Sequence, residues 1–333
     1  MGKMFRASFC VLVIVLISMI YTILFTKYMI KNKSSILDDD GSSDINSPRE
    51  SQKGFKYNLD LWEKPQIITR YRSTWKTMDD ATCERKGDYL LGHIKSKTLI
   101  PIFLHPPDND IHISRVLLNG GSWEKALLER MLRSMTQFPE AIFIDIGAHV
   151  GVYSLSIASH GHNVIAIDCY QGNVERLCAS TKAAKLSNRI SIIYNAISKT
   201  RGNVHVRQAS SSNVGSNAIV TTNNSIKFKE NLEIIQAITL SDVLEIFNIN
   251  SAVLKMDVEG HEYDVLQGAE RFFKHVKVHF VLMEFHFHKN KRSGRFIQEF
   301  MSRHGLEPDL PKDVSITNQT QWPWNVHWIQ KNI

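Results

Sequence analysis

Four cysteines in 333 residues are too few for a disulfide framework. Cys10 falls in an apolar N-terminal run, and Cys83, Cys169 and Cys178 leave room for at most one bridge and one free thiol. No Lys/Arg block interleaved with aromatics occurs, and the formal charge of +7 is spread along the chain, so no nucleic-acid partner is expected. No internal repeat marks a solenoid. Two further absences concern chemistry. There is no H-E-x-x-H pair for a helix-borne metal, and no G-x-G-x-x-G to cradle a dinucleotide pyrophosphate. A nicotinamide-dependent oxidoreductase is therefore disfavoured, and no metal site is expected.

Long uncharged runs are also scarce, with one exception. Residues 9–25, FCVLVIVLISMIYTILF, carry no charge, and the run extends to residue 30 if Lys27 reaches the interface. It exceeds a signal-peptide core of about 7–15 residues, and no small-x-small cleavage site follows. An uncleaved transmembrane signal anchor over 9–30 is expected, behind a short tail, 1–8. Basic residues on its two sides, Lys3 and Arg6 against Lys27, Lys31 and Lys33, do not fix its orientation. Sequons at Asn32, Asn223 and Asn318 suit a lumenal Golgi or ER glycoprotein, with a secreted or a cytosol-facing domain as alternatives.

Residues 31–54 are polar and read as a stalk. Residues 55–138 form an N-terminal extension in which TLIPIFLHPP predicts a strand and SWEKALLERMLRSM a helix capped by Ser122. From 139 to 333, apolar runs of four to eight residues alternate with helical patterns. That rhythm predicts an α/β fold of βαβ units with a parallel sheet covered on both faces. The polar stretch 210–224 reads as a long loop.

In FIDIGAHVGVYSL a strand runs into Asp145, Gly147 and Gly151, and then a helix begins. The spacing D-x-G-x-x-x-G, with His149 where a middle glycine would sit, suits a cofactor without a pyrophosphate. S-adenosylmethionine is such a cofactor, with Asp145 meeting its ammonium directly or through water. Asp168 ends the next strand, where an acid accepts hydrogen bonds from ribose hydroxyls.

FIDIGAHVGVYSLSIA, VIAIDCYQGNVERL, AVLKMDVEGHEYDVLQGAERFF and FVLMEFH together resemble the FkbM family of class I S-adenosylmethionine-dependent methyltransferases, and GGSWE, ending at Glu124, is similar to its entry segment. The string K-x-D-V-E-G-x-E-x-x-V-L-x-G-A stands intact over 255–269. The resemblance covers roughly 119–305. It implies a doubly wound, mostly parallel, Rossmann-like sheet, a bound S-adenosylmethionine and O-methylation of a hydroxyl on a glycan or small molecule. The family commonly has Asn at His149 and Glu-Pro at Asp168-Cys169, so Asp168 reaches one methylene less. These departures keep open an alternative, an inactive methyltransferase-like domain serving as a membrane-tethered binding module.

Ligands of such sheets sit beyond the carboxyl ends of the strands. Asp257 and Glu259 are expected to face the methyl group, and Glu284 and His286 to share one face of their strand. The expected catalytic bases are Glu259, Asp257 and His286, in that order, with Glu284 and Glu124 toward the acceptor. His261 and Glu262 are expected to serve the turn and the helix start. The tail QWPWNVHWIQ suits a sugar-stacking surface or a terminal strand packed on the sheet, and the second reading is taken.

Overall fold

The computed structural model describes residues 66–207, 218–220 and 233–331. The expected tail, anchor and stalk lie outside the described residues. Among those described, no helix is long and apolar enough to cross a membrane.

Fifteen strands follow one another among the described residues. They are β1 (Gln66–Tyr71), β2 (Thr74–Thr77), β3 (Leu90–Lys95), β4 (Leu99–Leu104), β5 (Ile142–Ile146), β6 (Val164–Asp168), β7 (Ile190–Tyr194) and β8 (Ala196–Ile197). There follow β9 (Gly202–Arg207), β10 (Ala218–Val220), β11 (Glu233–Ile238), β12 (Ser251–Met256), β13 (Lys277–Glu284), β14 (Leu306–Asp309) and β15 (Asn325–Gln330). Nine of them form one sheet in the order β14-β15-β13-β12-β5-β6-β7-β1-β2. From β13 through β12, β5, β6 and β7 to β1 every pairing is parallel, and β15, β14 and β2 run antiparallel to their neighbours.

The central strands are apolar because both faces are covered. Alternate residues feed two cores. Ile144, Ile146, Leu254 and Met256 pack on one face, and Phe143, Ala166 and Val253 on the other. From β5 the chain steps outward through β6 and β7, then returns to β12 on the other side of β5. The order reverses between β5 and β12, which opens a crevice at their carboxyl ends.

Several local expectations are corrected. The helix expected from Ser122 is Lys125–Gln137, and its N-cap is Glu124 in a left-handed conformation with no side-chain cap. Glu124 is thereby turned away from the helix it precedes. Residues 218–220, inside the expected loop, form β10 on β9. The EYDVLQGAERFFK pattern makes two short helices, Glu262–Gln267 and Glu270–His275. Gly268 parts them, and a side chain there would lie 2.6 Å from the Ser198 carbonyl.

The N-terminal extension is built into the sheet. β1 adds to β7, and the β3–β4 hairpin packs on the helix Gln171–Ala183. There Ser180 Oγ accepts the Phe103 N–H at 2.7 Å, Arg176 reaches Asp88 at 2.6 Å, and Cys83 is bridged to Cys178. Both sulfurs are buried, and Cys169 is the free thiol. Closing so long a loop, 95 residues, removes much denatured-state entropy. Replacing both cysteines by Ala is expected to cost about 2–5 kcal/mol in denaturant unfolding. An unchanged midpoint would mean that the bridge contributes nothing.

Candidate functional site

A cavity of about 470 Å³ opens where β5 and β12 part, a size in the ordinary range for small-molecule sites. Seven of the nine residues expected at a site line it: Glu124, Gly147, Asp168, Asp257, Glu259, Glu284 and His286. Asp145 and Gly151 do not.

Gly147 is where the two strand ends meet. Its φ is +80°, and a Cβ would lie 1.8 Å from the Asp257 carbonyl oxygen. Asp257 N–H donates to the Ile146 carbonyl, which seals the junction. Any side chain at 147 pries the crevice apart. Gly151 also has positive φ, but its missing side chain admits Leu177. It serves helix packing behind the site, and its expected place against a cofactor is corrected.

Asp145 is corrected likewise. It is fully buried beneath the floor, where it accepts the Ser154 hydroxyl at 2.7 Å. Burial raises its pKa, against the neighbouring Lys255 charge. It cannot touch a ligand in the cavity. It faces Lys255, its direct partner on β12, at 3.9 Å.

Lys255 is the residue that sequence reasoning passed over. Its ammonium reaches the Asp257 carboxylate at 3.1 Å and the Gly147 carbonyl at 3.4 Å, and lies 5.2 Å from the centre of the Tyr153 ring. Burial alone would lower its pKa, but the surrounding Asp257, Asp145 and Glu124 outweigh burial and hold it above the ordinary lysine value. The available signal was a single cation in an otherwise apolar strand, since lysine is seldom buried unless paired.

The β6 end is held tightly. Asp168 Oδ2 accepts the His149 N–H at 2.8 Å, and Oδ1 accepts the Tyr170 N–H at 2.8 Å and the Asn173 amide at 3.2 Å. The short carboxylate thus fixes the glycine turn while still facing the cavity. His149 itself has φ of +51°, and neither nitrogen of its buried ring has a hydrogen-bond partner. The ring borders the cavity, 3.9 Å from Asp110.

On the far wall the acids crowd together. Burial first, then the charges of Asp257 and Glu262, push Glu259 up to about 7. Burial, then the charges of Asp257, Glu262 and Glu259, push Glu284 up to about 9. Glu262 is fully buried and outside the cavity, accepting the Val258 N–H at 2.9 Å and facing His288 Nε2 at 2.7 Å. Glu124 accepts the Tyr153 hydroxyl at 2.8 Å.

His286 does not continue the β13 strand, as the two-residue period had suggested. The strand ends at Glu284, and residues His286–His288 form a 3-10 turn. His286 still lies beside Glu284, at 3.2 Å, while His288 turns inward to Glu262. Burial lowers the His286 pKa. The three tail tryptophans divide. Trp322 and Trp328 are buried in the core, while Trp324 is 67% exposed at the cavity mouth. Among the described residues, no group of three or more His, Cys, Asp or Glu side chains is placed to hold a metal ion.

Residues 145–308 match the family model of the methyltransferase FkbM domain. No curated protein matches the chain. Among solved structures, it is similar to the O-methyltransferase from Bacillus cereus in complex with SAH, at 8% identity and a TM-score of 0.38 over 62% of this chain and 81% of that one. It is also similar to magnesium protoporphyrin IX methyltransferase from Synechocystis PCC 6803 with bound SAM, at 9% identity and a TM-score of 0.35 over 66% and 83%.

The raised acids make stability depend on pH. Between the ordinary 4.5 and about 9, Glu284 holds a proton in the fold that the unfolded chain has released. Stability therefore falls as pH rises through that window, and Glu259 adds to the fall up to about 7. Glu284→Gln is expected to flatten the decline in melting temperature from pH 6 to 9. Parallel wild-type and variant curves would refute the assignment.

Proposed function

We propose that this chain is an S-adenosylmethionine-dependent methyltransferase that methylates a hydroxyl group on a glycan or small molecule. The observation that carries the reading is the convergence of Lys255, Asp257, Glu259 and Glu284 on one cavity at the sheet's reversal point.

The cavity's residues fit the cofactor. Asp168 faces it with lone pairs to spare for ribose hydroxyls, and Cys169, Asn195 and Ala196 would border the adenosine half. The unpartnered His149 ring offers a further polar contact. With Asp145 beneath the floor, Glu124 is the acid on the opposite wall that would meet the ammonium, and Lys255 would meet the carboxylate. When bound, S-adenosylmethionine supplies an electrophilic methyl group on a sulfonium and leaves as a neutral thioether.

The protein's share is alignment and proton removal. Glu259 accepts the acceptor's hydroxyl proton as the new O–C bond forms. Its pKa near 7 matches a base that must be ionised before the step and take a proton during it. Protonated Glu284 donates a hydrogen bond, and Asp257, neutralised by Lys255, keeps the two acids apart in role.

The cellular setting belongs to the same proposal: a signal-anchored protein with its catalytic domain in the lumen. The buried Cys83–Cys178 bridge favours an oxidising compartment. Asn318, exposed in its sequon, offers a glycan acceptor. S-adenosylmethionine is made in the cytosol, so a lumenal site requires its transport.

Calorimetry of the full-length chain with S-adenosylhomocysteine tests the cofactor assignment. Wild type is expected to bind, and Asp168→Ala to lose at least about tenfold, of the order of one lost charged hydrogen bond. No binding by wild type would sink the reading. Once an acceptor is in hand, kcat/KM should rise with pH to a plateau above about 7, and Glu259→Gln should lower kcat by roughly 10²–10⁴. A glycosidase-induced mobility shift of the chain made in cells tests the lumenal setting.

A further inference from the structure

Among the described residues seven large hydrophobic side chains stand exposed, and of these Trp324 lines the cavity. Its position is fixed from behind. Its carbonyl accepts the Phe285 N–H at 2.6 Å, and the next residue, Asn325, pairs with Glu284 across β15 and β13. The indole stacks on His286 with ring centres 4.5 Å apart and planes within 18°, and His286 in turn lies 3.8 Å from Phe287. Three rings thus form a shelf along the mouth, ending beside Glu284 and Glu259.

An exposed indole that packing does not require leaves apolar surface in water. It is stabilised when a flat apolar face covers it, as aromatic side chains do at interfaces where one side of the partner is wet. The charge around it restricts the partner further. Six carboxyls line the cavity against one lysine ammonium, so a second anion meets net repulsion. Lys289, the nearest lysine in sequence to His286, donates its ammonium to the Trp322 carbonyl. The acids beside the shelf differ in protonation, so donor and acceptor oxygens stand together, which suits hydroxyl groups that both give and take hydrogen bonds.

We infer that the Trp324–His286–Phe287 shelf is the acceptor-binding subsite, and that it selects an uncharged, polyhydroxylated ring, a neutral pyranose, laid by its C–H face on the Trp324 indole with its hydroxyls toward Glu259 and Glu284. This rests on the reading of the cavity as a methyl-transfer site. His286 is then a positioning residue that holds the indole flat, rather than the base.

The test is saturation-transfer NMR and titration on the full-length chain, with and without S-adenosylhomocysteine. The probes are neutral trisaccharides (cellotriose, mannotriose and triacetylchitotriose), acidic trigalacturonate and the cationic chitosan trimer. At least one neutral trisaccharide is expected to bind, with its ring C–H protons saturated most strongly. Trp324→Ala should weaken that binding tenfold or more, and Trp324→Phe should keep it within threefold, because a flat ring remains. The inference is overturned if no neutral probe binds, if Trp324→Ala binds as well as wild type, or if either charged probe binds more tightly than every neutral one. Failure of S-adenosylhomocysteine to bind speaks against the methyl-transfer reading instead. The titrations without it report on the shelf separately.

Discussion

A single buried ammonium organises this molecule. Lys255 sits in the middle of a parallel sheet, in a position that the rest of its strand fills with apolar groups. A charge there is tolerated only with compensation close by. Asp145 supplies it from the neighbouring strand, Asp257 from the turn beyond, and the Gly147 carbonyl from the turn opposite. Those three groups come from the two strands between which the sheet order reverses. The lysine therefore ties together the two lips of the crevice.

The acids around it divide labour by environment. Asp145 is sealed below, Asp257 is paired, and Glu259 and Glu284 are left with burial and mutual repulsion and so hold their protons more firmly. Glu262, the first residue of its helix, braces the turn through the Val258 amide and His288. The five carboxyls thus differ in solvent access and in partners.

Much of the architecture was legible in sequence because buried parallel strands and amphipathic helices have distinct periods. The β5, β6 and β12 runs could be read as central strands from their unbroken apolar character. Asp257 and Glu259 could be placed at a strand end because the apolar run stops there. What escaped was set by depth and by distant partners. Asp145 and Gly151 stand in the same motif as Gly147, yet face the floor and a helix. No local rule tells which side of a turn meets solvent. His286 was misassigned because a period of two holds only while the strand lasts, and the chain turns at Phe285. The tryptophans share seven residues of tail and divide between core and mouth, which only packing against β13 decides.

The Cys83–Cys178 bridge has a topological consequence. The chain between its two ends is a closed covalent ring, and it contains Glu124, Asp145, Gly147, His149 and Asp168. Lys255, Asp257, Glu259, Glu284 and Trp324 all lie on the open chain beyond it. The cavity is therefore a seam between a looped half, which carries Glu124, Gly147, His149 and Asp168, and a linear half, which carries Lys255, Asp257, Glu259, Glu284 and Trp324. A single cut within the ring leaves its pieces joined, whereas after a cut between the halves they are held only by noncovalent contacts, among them the β5–β12 and β6–β7 pairings and the Lys255–Asp145 ion pair.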